Sequence, residues 1–167
     1  MVDPFVLESA DSCCKRVTSL ETRDLPESDW GGLRSVRLAE RGPMPFYQFT
    51  IPSHSPSAGL KTEIARAVTK VHTSVTGAPA RYVNVSFVEV PPGNLFVADE
   101  PVAQGRLVGI IRSGRTAEVK HDLITGLADA WSAVTGEPRD RFALFLQEVP
   151  GSMVMEYGDT LPEAEFD

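Results

Sequence analysis

The sequence has no basic surplus. Lys and Arg number 16 against 23 Asp and Glu, a formal net charge of −7. A nucleic-acid backbone needs clustered positive charge, so no nucleic-acid partner is expected. A local pair of cations can still hold a small anion. Nothing approaches the roughly 18 consecutive apolar residues of a membrane span. The opening MVDPFVLESADSCC has no basic head followed by an apolar core, so neither export nor a membrane partner is expected. The expectation is a cytoplasmic protein. Cysteine is confined to the adjacent pair Cys13 and Cys14, which excludes a disulfide framework and a four-cysteine zinc site. His54, His72 and His121 have no metal-ligand spacing, so no metal site is expected. Phosphate-binding glycine loops, whether G-x-x-x-x-G-K-[ST] or a G-x-G-x-x-G after a strand, are also missing.

What is present is enough apolar matter for one core: 42% of 167 residues. The chain changes character near residue 43. Residues 1–43 mix eight acids with six bases and show no sustained period. They are expected to form a largely disordered extension. A domain is expected over 44–167, built of two β-α-β units at about 45–100 and 104–160.

Within that domain the periods are clear. FYQFTI reads as a strand. In SPSAGLKTEIARAVTKVHTSVTG, Leu60, Ile64, Val68, Val71 and Val75 recur at helical spacing, with Pro56 suited to the first turn and Gly77 to the stop. RYVNVSFVEV alternates as a strand and ends at PPGN. GRLVGIIR is a third strand. TAEVKHDLITGLADAWSAVTG is a second helix, with Val119, Leu123, Leu127, Trp131 and Val134 on one side, and RFALFLQEV is a fourth strand.

The halves repeat. VTGAP at 75–79 matches VTGEP at 134–138, EVP at 89–91 matches EVP at 148–150, and Lys61 matches Lys120, all at an offset of 59. This is the mark of a duplicated β-α-β unit. A ferredoxin-like split β-α-β and a tautomerase-type pair of parallel β-α-β units both fit the pattern.

Candidate chemistry clusters around charge. Arg112 closes a strand, and Arg115 stands just before a helix start at Thr116. A helix N-terminus disfavours cations, so two arginines there suggest a missing anion, and a carboxylate suits guanidinium geometry. The alternative is that they face water or pair with Glu118. His72 lies late in the first helix near Val68 and Val71, either as a hydrogen-bonded structural residue or as a ligand contact. Glu156, between Met155 and Tyr157, is either a desolvated acid or a solvated rim residue. Met153 and Met155 are expected in a core or an interface.

Met44-Pro45 opens the first strand. An internal proline nitrogen is an amide, whereas a leading proline is a secondary amine, both base and nucleophile. Beside two arginines such an amine loses basicity toward neutrality, because positive neighbours disfavour its charged form.

Taken together, MPFYQFT, the SPSAGLK helix, VSFVEVPPGNLFV, RSGRTAEVK and EVPGSMVMEYG resemble the tautomerase superfamily, and within it the cis-3-chloroacrylic acid dehalogenase group. The resemblance spans about 45–162. It implies an α/β (α+β) fold with a four-stranded sheet and two helices on one face. It implies tautomerisation of small 2-oxo or enol carboxylic acids, a homotrimer with sites near subunit contacts, and no cofactor. By position it makes Pro45 the catalytic proline and His72 a contact to the substrate carboxylate. Arg112 and Arg115 become the carboxylate clamp, and Glu156 the acid that activates water. The dehalogenases carry a tyrosine where this chain has Phe145, and Phe has no hydroxyl to offer a water or oxyanion. Hydratase or dehalogenase chemistry is therefore expected to be a weak side activity.

Overall fold

The computed structural model describes residues 44–156 and 158–162. The extension expected over 1–43 lies outside them, as does Tyr157. The first unit runs β1 (Phe46–Pro52), α1 (Lys61–Thr76) and β2 (Asn84–Val90), followed by a small hairpin of β3 (Phe96–Val97) and β4 (Glu100–Pro101). The second runs β5 (Gly105–Arg112), α2 (Ala117–Thr135) and β6 (Phe142–Val149), followed by a hairpin of β7 (Met155–Glu156) and β8 (Asp159–Thr160). One sheet has the order β2-β1-β5-β6. β1 is parallel to β2, β5 is parallel to β6, and the central pair β1 and β5 is antiparallel. Because each helix joins two adjacent strands, the split arrangement is ruled out and the two-unit reading holds.

Period-2 alternation decides which face is dry. Tyr47, Phe49 and Ile51 of β1 and Leu107 and Ile111 of β5 are fully buried beneath the helices. Ile64 and Val68 of α1 meet Leu123, Leu127 and Trp131 of α2 over this face. Trp131 lies parallel to Phe142 at 4.6 Å and to Phe49 at 5.6 Å between ring centres. The opposite face of the sheet is open and partly apolar, with Val88 43%, Val108 40% and Phe145 58% exposed. Among the described residues no helix is long and apolar enough to cross a membrane.

Both helices stop where a residue without a Cβ can turn left-handed: Gly77 has φ 70 and Gly136 φ 74. Their starts differ. Thr116 caps α2, its hydroxyl accepting from the Val119 N–H at 3.3 Å. Pro56 does not open α1 as its position suggests. It opens a separate 3-10 turn, Pro56–Gly59, and α1 begins only at Lys61. The Ser55 hydroxyl, which donates to the Pro52 carbonyl at 2.6 Å and lies 2.7 Å from the Ser57 hydroxyl, holds this turn apart from the helix. Met153 and Met155 are 76% and 68% exposed, so they fill no core of this chain.

The repeat reaches further than the sequence matches. The two hairpins close through equivalent hydrogen bonds, Val102 N–H to the Leu95 carbonyl at 2.8 Å and Leu161 N–H to the Val154 carbonyl at 3.0 Å, again 59 apart. In the leading strands the offset becomes 60: Ser53 N–H bonds to the Val90 carbonyl, and Ser113 N–H to that of Val149. The second unit is one residue shorter between strand and helix, which keeps Tyr47 and Leu107 on the same face.

Candidate active site

The antiparallel pairing of β1 with β5 places the start of one strand beside the end of the other. Phe46 is opposite Ile110, so continuing the register sets Pro45 beside Ile111 and Met44 beside Arg112. α2 begins just after β5, and α1, which returns over β1, ends near the start of β1. Four chain segments therefore converge at Pro45.

Pro45 is fully buried. Its carbonyl accepts the Asn84 backbone N–H at 3.0 Å, which fixes the residue at the head of β1. Two residues on, and so on the same face, the Tyr47 hydroxyl lies 2.8 Å from His72 Nδ1. Both side chains are 0% exposed. Burial, aided by the Arg115 charge, pushes the His72 imidazole down to about 4. Burial raises the Tyr47 phenol well above its ordinary value, and Arg115 opposes that in part. Both groups are thus neutral at pH 7. With the phenol donating to Nδ1, the ring hydrogen sits on Nε2, which is buried and has no hydrogen-bond partner. A buried donor in this state is costly unless something outside the chain meets it.

Arg115 folds back from the start of α2 and donates from Nη1 to the Arg112 carbonyl at 2.8 Å. Burial holds its pKa below the usual guanidinium range, with Tyr47 and Glu148 acting upward and Arg112 downward. Glu118 is exposed and is stabilised as an anion by its own backbone N–H and the Thr116 hydroxyl. It serves the helix start. Arg112 is half-buried and donates from Nη1 to the Pro162 carbonyl at 3.2 Å. That contact ties the β7–β8 hairpin to the site. Glu156 sits on this hairpin opposite Asp159, and its Oε2 is buried with no hydrogen-bond partner.

The fold thus gathers Pro45, His72, Arg112 and Arg115 at one end of the β1–β5 pair and sets Glu156 on the hairpin bonded to Arg112. It does not bring Phe145 to them within the chain. Phe145 lies in mid-strand, paired with Val108 on the open face. Tyr47 is the residue that sequence reasoning missed. Its signal was its place two positions after Pro45 on an alternating strand, and the partner 25 residues away becomes visible only with the topology.

The His72 environment makes stability depend on pH. Its folded pKa lies below the unfolded 6.5, so between about 6.5 and 4 the unfolded chain binds a proton that the folded chain refuses. Stability is therefore lost as pH falls through that window, by about 1.4 kcal/mol for each unit. The expected result in urea titrations is that His72→Gln removes this part of the slope. An unchanged slope contradicts the buried neutral imidazole.

Comparisons with known proteins identify the family. A family model described as "Putative oxalocrotonate tautomerase enzyme" matches residues 44–167. The solved structure of native Ps01740 is 32% identical, with a TM-score of 0.63, covering 66% of this chain and 99% of that one. N1, a member of the cis-3-chloroacrylic acid dehalogenase family, is 28% identical with a TM-score of 0.66, covering 71% of this chain and 84% of that one. A symmetric trimer of fused 4-OT is 27% identical with a TM-score of 0.62, covering 69% and 94%. No curated protein matches the sequence. The α+β two-unit fold, the family match and these relatives together establish that the chain belongs to the oxalocrotonate tautomerase family, in the cis-3-chloroacrylic acid dehalogenase-like group of the tautomerase superfamily.

Proposed function

We propose that the 44–167 domain is a tautomerase of small 2-oxo or enol carboxylic acids, working from Pro45 as the leading residue. The observation that carries this reading is the convergence of a buried strand-start proline with Arg112, Arg115 and the neutral Tyr47–His72 pair. Arg112 and Arg115 bind the substrate carboxylate, and His72 Nε2–H donates to it or to the adjacent 2-oxo oxygen. The imino nitrogen of Pro45 removes a proton from the carbon next to the oxo group and returns it at the other end of the enol. Both arginines and burial lower the basicity of that nitrogen into the working range. No cofactor is required for this proton shuttle. Glu156 positions water for a slower hydration of unsaturated acids.

Arg112→Ala in a polypeptide beginning at Pro45 tests the clamp. A charge-assisted hydrogen bond contributes roughly 1.5–3 kcal/mol, so kcat/KM for phenylenolpyruvate tautomerisation should fall about 10–100-fold. Parent-like rates for Arg112→Ala would remove the clamp assignment. Phe145→Tyr adds the hydroxyl that the dehalogenases have; if a neighbouring subunit of a homotrimer presents it to the site, hydration of a cis-haloacrylate should rise about tenfold, the worth of one hydrogen bond. No gain means that water is handled elsewhere.

A homotrimer fits this proposal. The fused 4-OT relative is a trimer, and Val88, Val108 and Phe145 leave the open sheet face in need of cover. In the 167-residue chain the Pro45 nitrogen is an amide. That favours a second reading for the unprocessed form, a cytoplasmic tautomerase-like assembly module without turnover. Mass spectrometry of the protein from its own cells separates the two: a first residue of Pro45 supports the enzyme, and retained residues 1–43 support the module.

A further inference from the structure

At the other end of β1 from Pro45 the chain forms a partly open cavity of about 250 Å³. The internal repeat explains why it is there. Its lining residues Pro52, Ser53 and Ser55 fall, at an offset of 60, on Arg112, Ser113 and Arg115. Its lining residues Val90, Leu95 and Val102 fall, at an offset of 59, on Val149, Val154 and Leu161. Ala103 stands where Pro162 accepts from Arg112. The cavity is the duplicated counterpart of the candidate active site, made by the same strand ends and the same kind of hairpin.

Every charged or catalytic group of the first site is replaced in the second. Pro52 and Ser55 stand in for the two arginines, Val97 for Glu156, and Trp131 for His72. Gly105 takes the place of Pro45, and the indole presses on it so closely that a Cβ there would lie 2.4 Å from Trp131 Cζ2. No Asp, Glu, Lys or Arg lines the cavity among the described residues. An anion entering it would leave water for Pro52, Val90, Leu95 and Val102 with no lysine or arginine to meet it, at a cost of several kcal/mol. A neutral molecule pays no such penalty, and apolar cavities of about 150 Å³ already hold benzene.

We propose that this cavity is a second binding site, which takes a small uncharged one-ring molecule with a single amide or hydroxyl group. The ring lies against Val90, Leu95 and Val102, and the polar group faces the rim at His54 and Gln104. Duplication thus produced one site for carboxylates and one that rejects them.

Benzamide and benzoate, equal in size and different in charge, test this in the 167-residue chain. Methyl NMR signals of Val90, Leu95, Val102 and Ala103 are followed through each titration. Benzamide should shift them in a saturable manner, with benzoate at least about tenfold weaker there, a difference of about 1.4 kcal/mol. Ala103→Trp, which fills the cavity, should abolish the benzamide shifts. Leu95→Phe, a smaller intrusion, should weaken them if the tryptophan variant does not fold. Arg112→Ala should leave them unchanged. The proposal is overturned if benzamide moves none of these methyls, if benzoate binds there as tightly, or if Ala103→Trp binds like the parent. It is equally overturned if dilution without ligand moves the same methyls, because a second copy of the chain then occupies the cavity.

Discussion

A polypeptide whose first residue is Pro45 is expected to interconvert the enol and keto forms of phenylenolpyruvate about 10²–10⁴-fold faster than the 167-residue chain, the usual worth of a positioned general base. The expectation follows from one covalent difference. In the longer chain the Pro45 nitrogen shares its lone pair with the Met44 carbonyl and cannot take a proton at neutral pH. Freed, it is a secondary amine at the same place. Its anchor at the head of β1 is present in either form, because the Asn84 N–H bonds to the Pro45 carbonyl at 3.0 Å and not to its nitrogen. Among the described residues, Tyr47 and His72 hold each other, and Arg115 is placed by the Arg112 carbonyl. Stopped-flow loss of the enol absorbance in both polypeptides measures the ratio. Equal rates would mean that proton transfer runs through some other group.

The largest expected effect on stability comes from Trp131→Ala. This side chain is 1% exposed and packs against two rings that also neighbour each other, lying 12° from the plane of Phe49 and 11° from that of Phe142. Its removal deletes its contacts with both rings at once, and the rigid sheet below cannot close the gap. Gly105, which has no side chain, lies directly beneath the indole and cannot refill it. Large aromatic truncations of this kind cost about 3–5 kcal/mol. Urea unfolding followed by circular dichroism should show that loss, and Trp131→Phe should recover more than half of it. A loss near 1 kcal/mol would mean that the two units do not share one core.

The helices were readable because their stripes are long: Ile64 and Val68, and Leu123, Leu127 and Trp131, recur every three or four residues and all prove buried. The four long strands were readable as short apolar runs bounded by turn signals, with alternation plain in RYVNVSFVEV. The two-residue strands of the small hairpins were not, since two residues carry no period. The late start of α1 was hidden because Pro56 suits the first turn of either helix type. For the candidate site, the arginines showed themselves by charge at a helix start. Tyr47 did not, because an inward tyrosine on a strand looks like core until the fold brings His72 to its hydroxyl. The face of Phe145 was equally hidden. Register decides it, and a strand whose two sides are both apolar, as in FALFLQEV, does not announce which side the helices cover.

The most direct measurement is the titration of the Pro45 nitrogen itself, followed by ¹⁵N NMR in a proline-labelled polypeptide that begins at Pro45, alongside the pH dependence of kcat/KM. The arginines and burial should place that pKa below the roughly 7.7–8.0 of an ordinary α-amino group. Catalysis should fall as pH drops through the same value, as the base takes up its proton. A nitrogen that titrates in the ordinary range or above, with a rate profile that ignores it, would contradict the account.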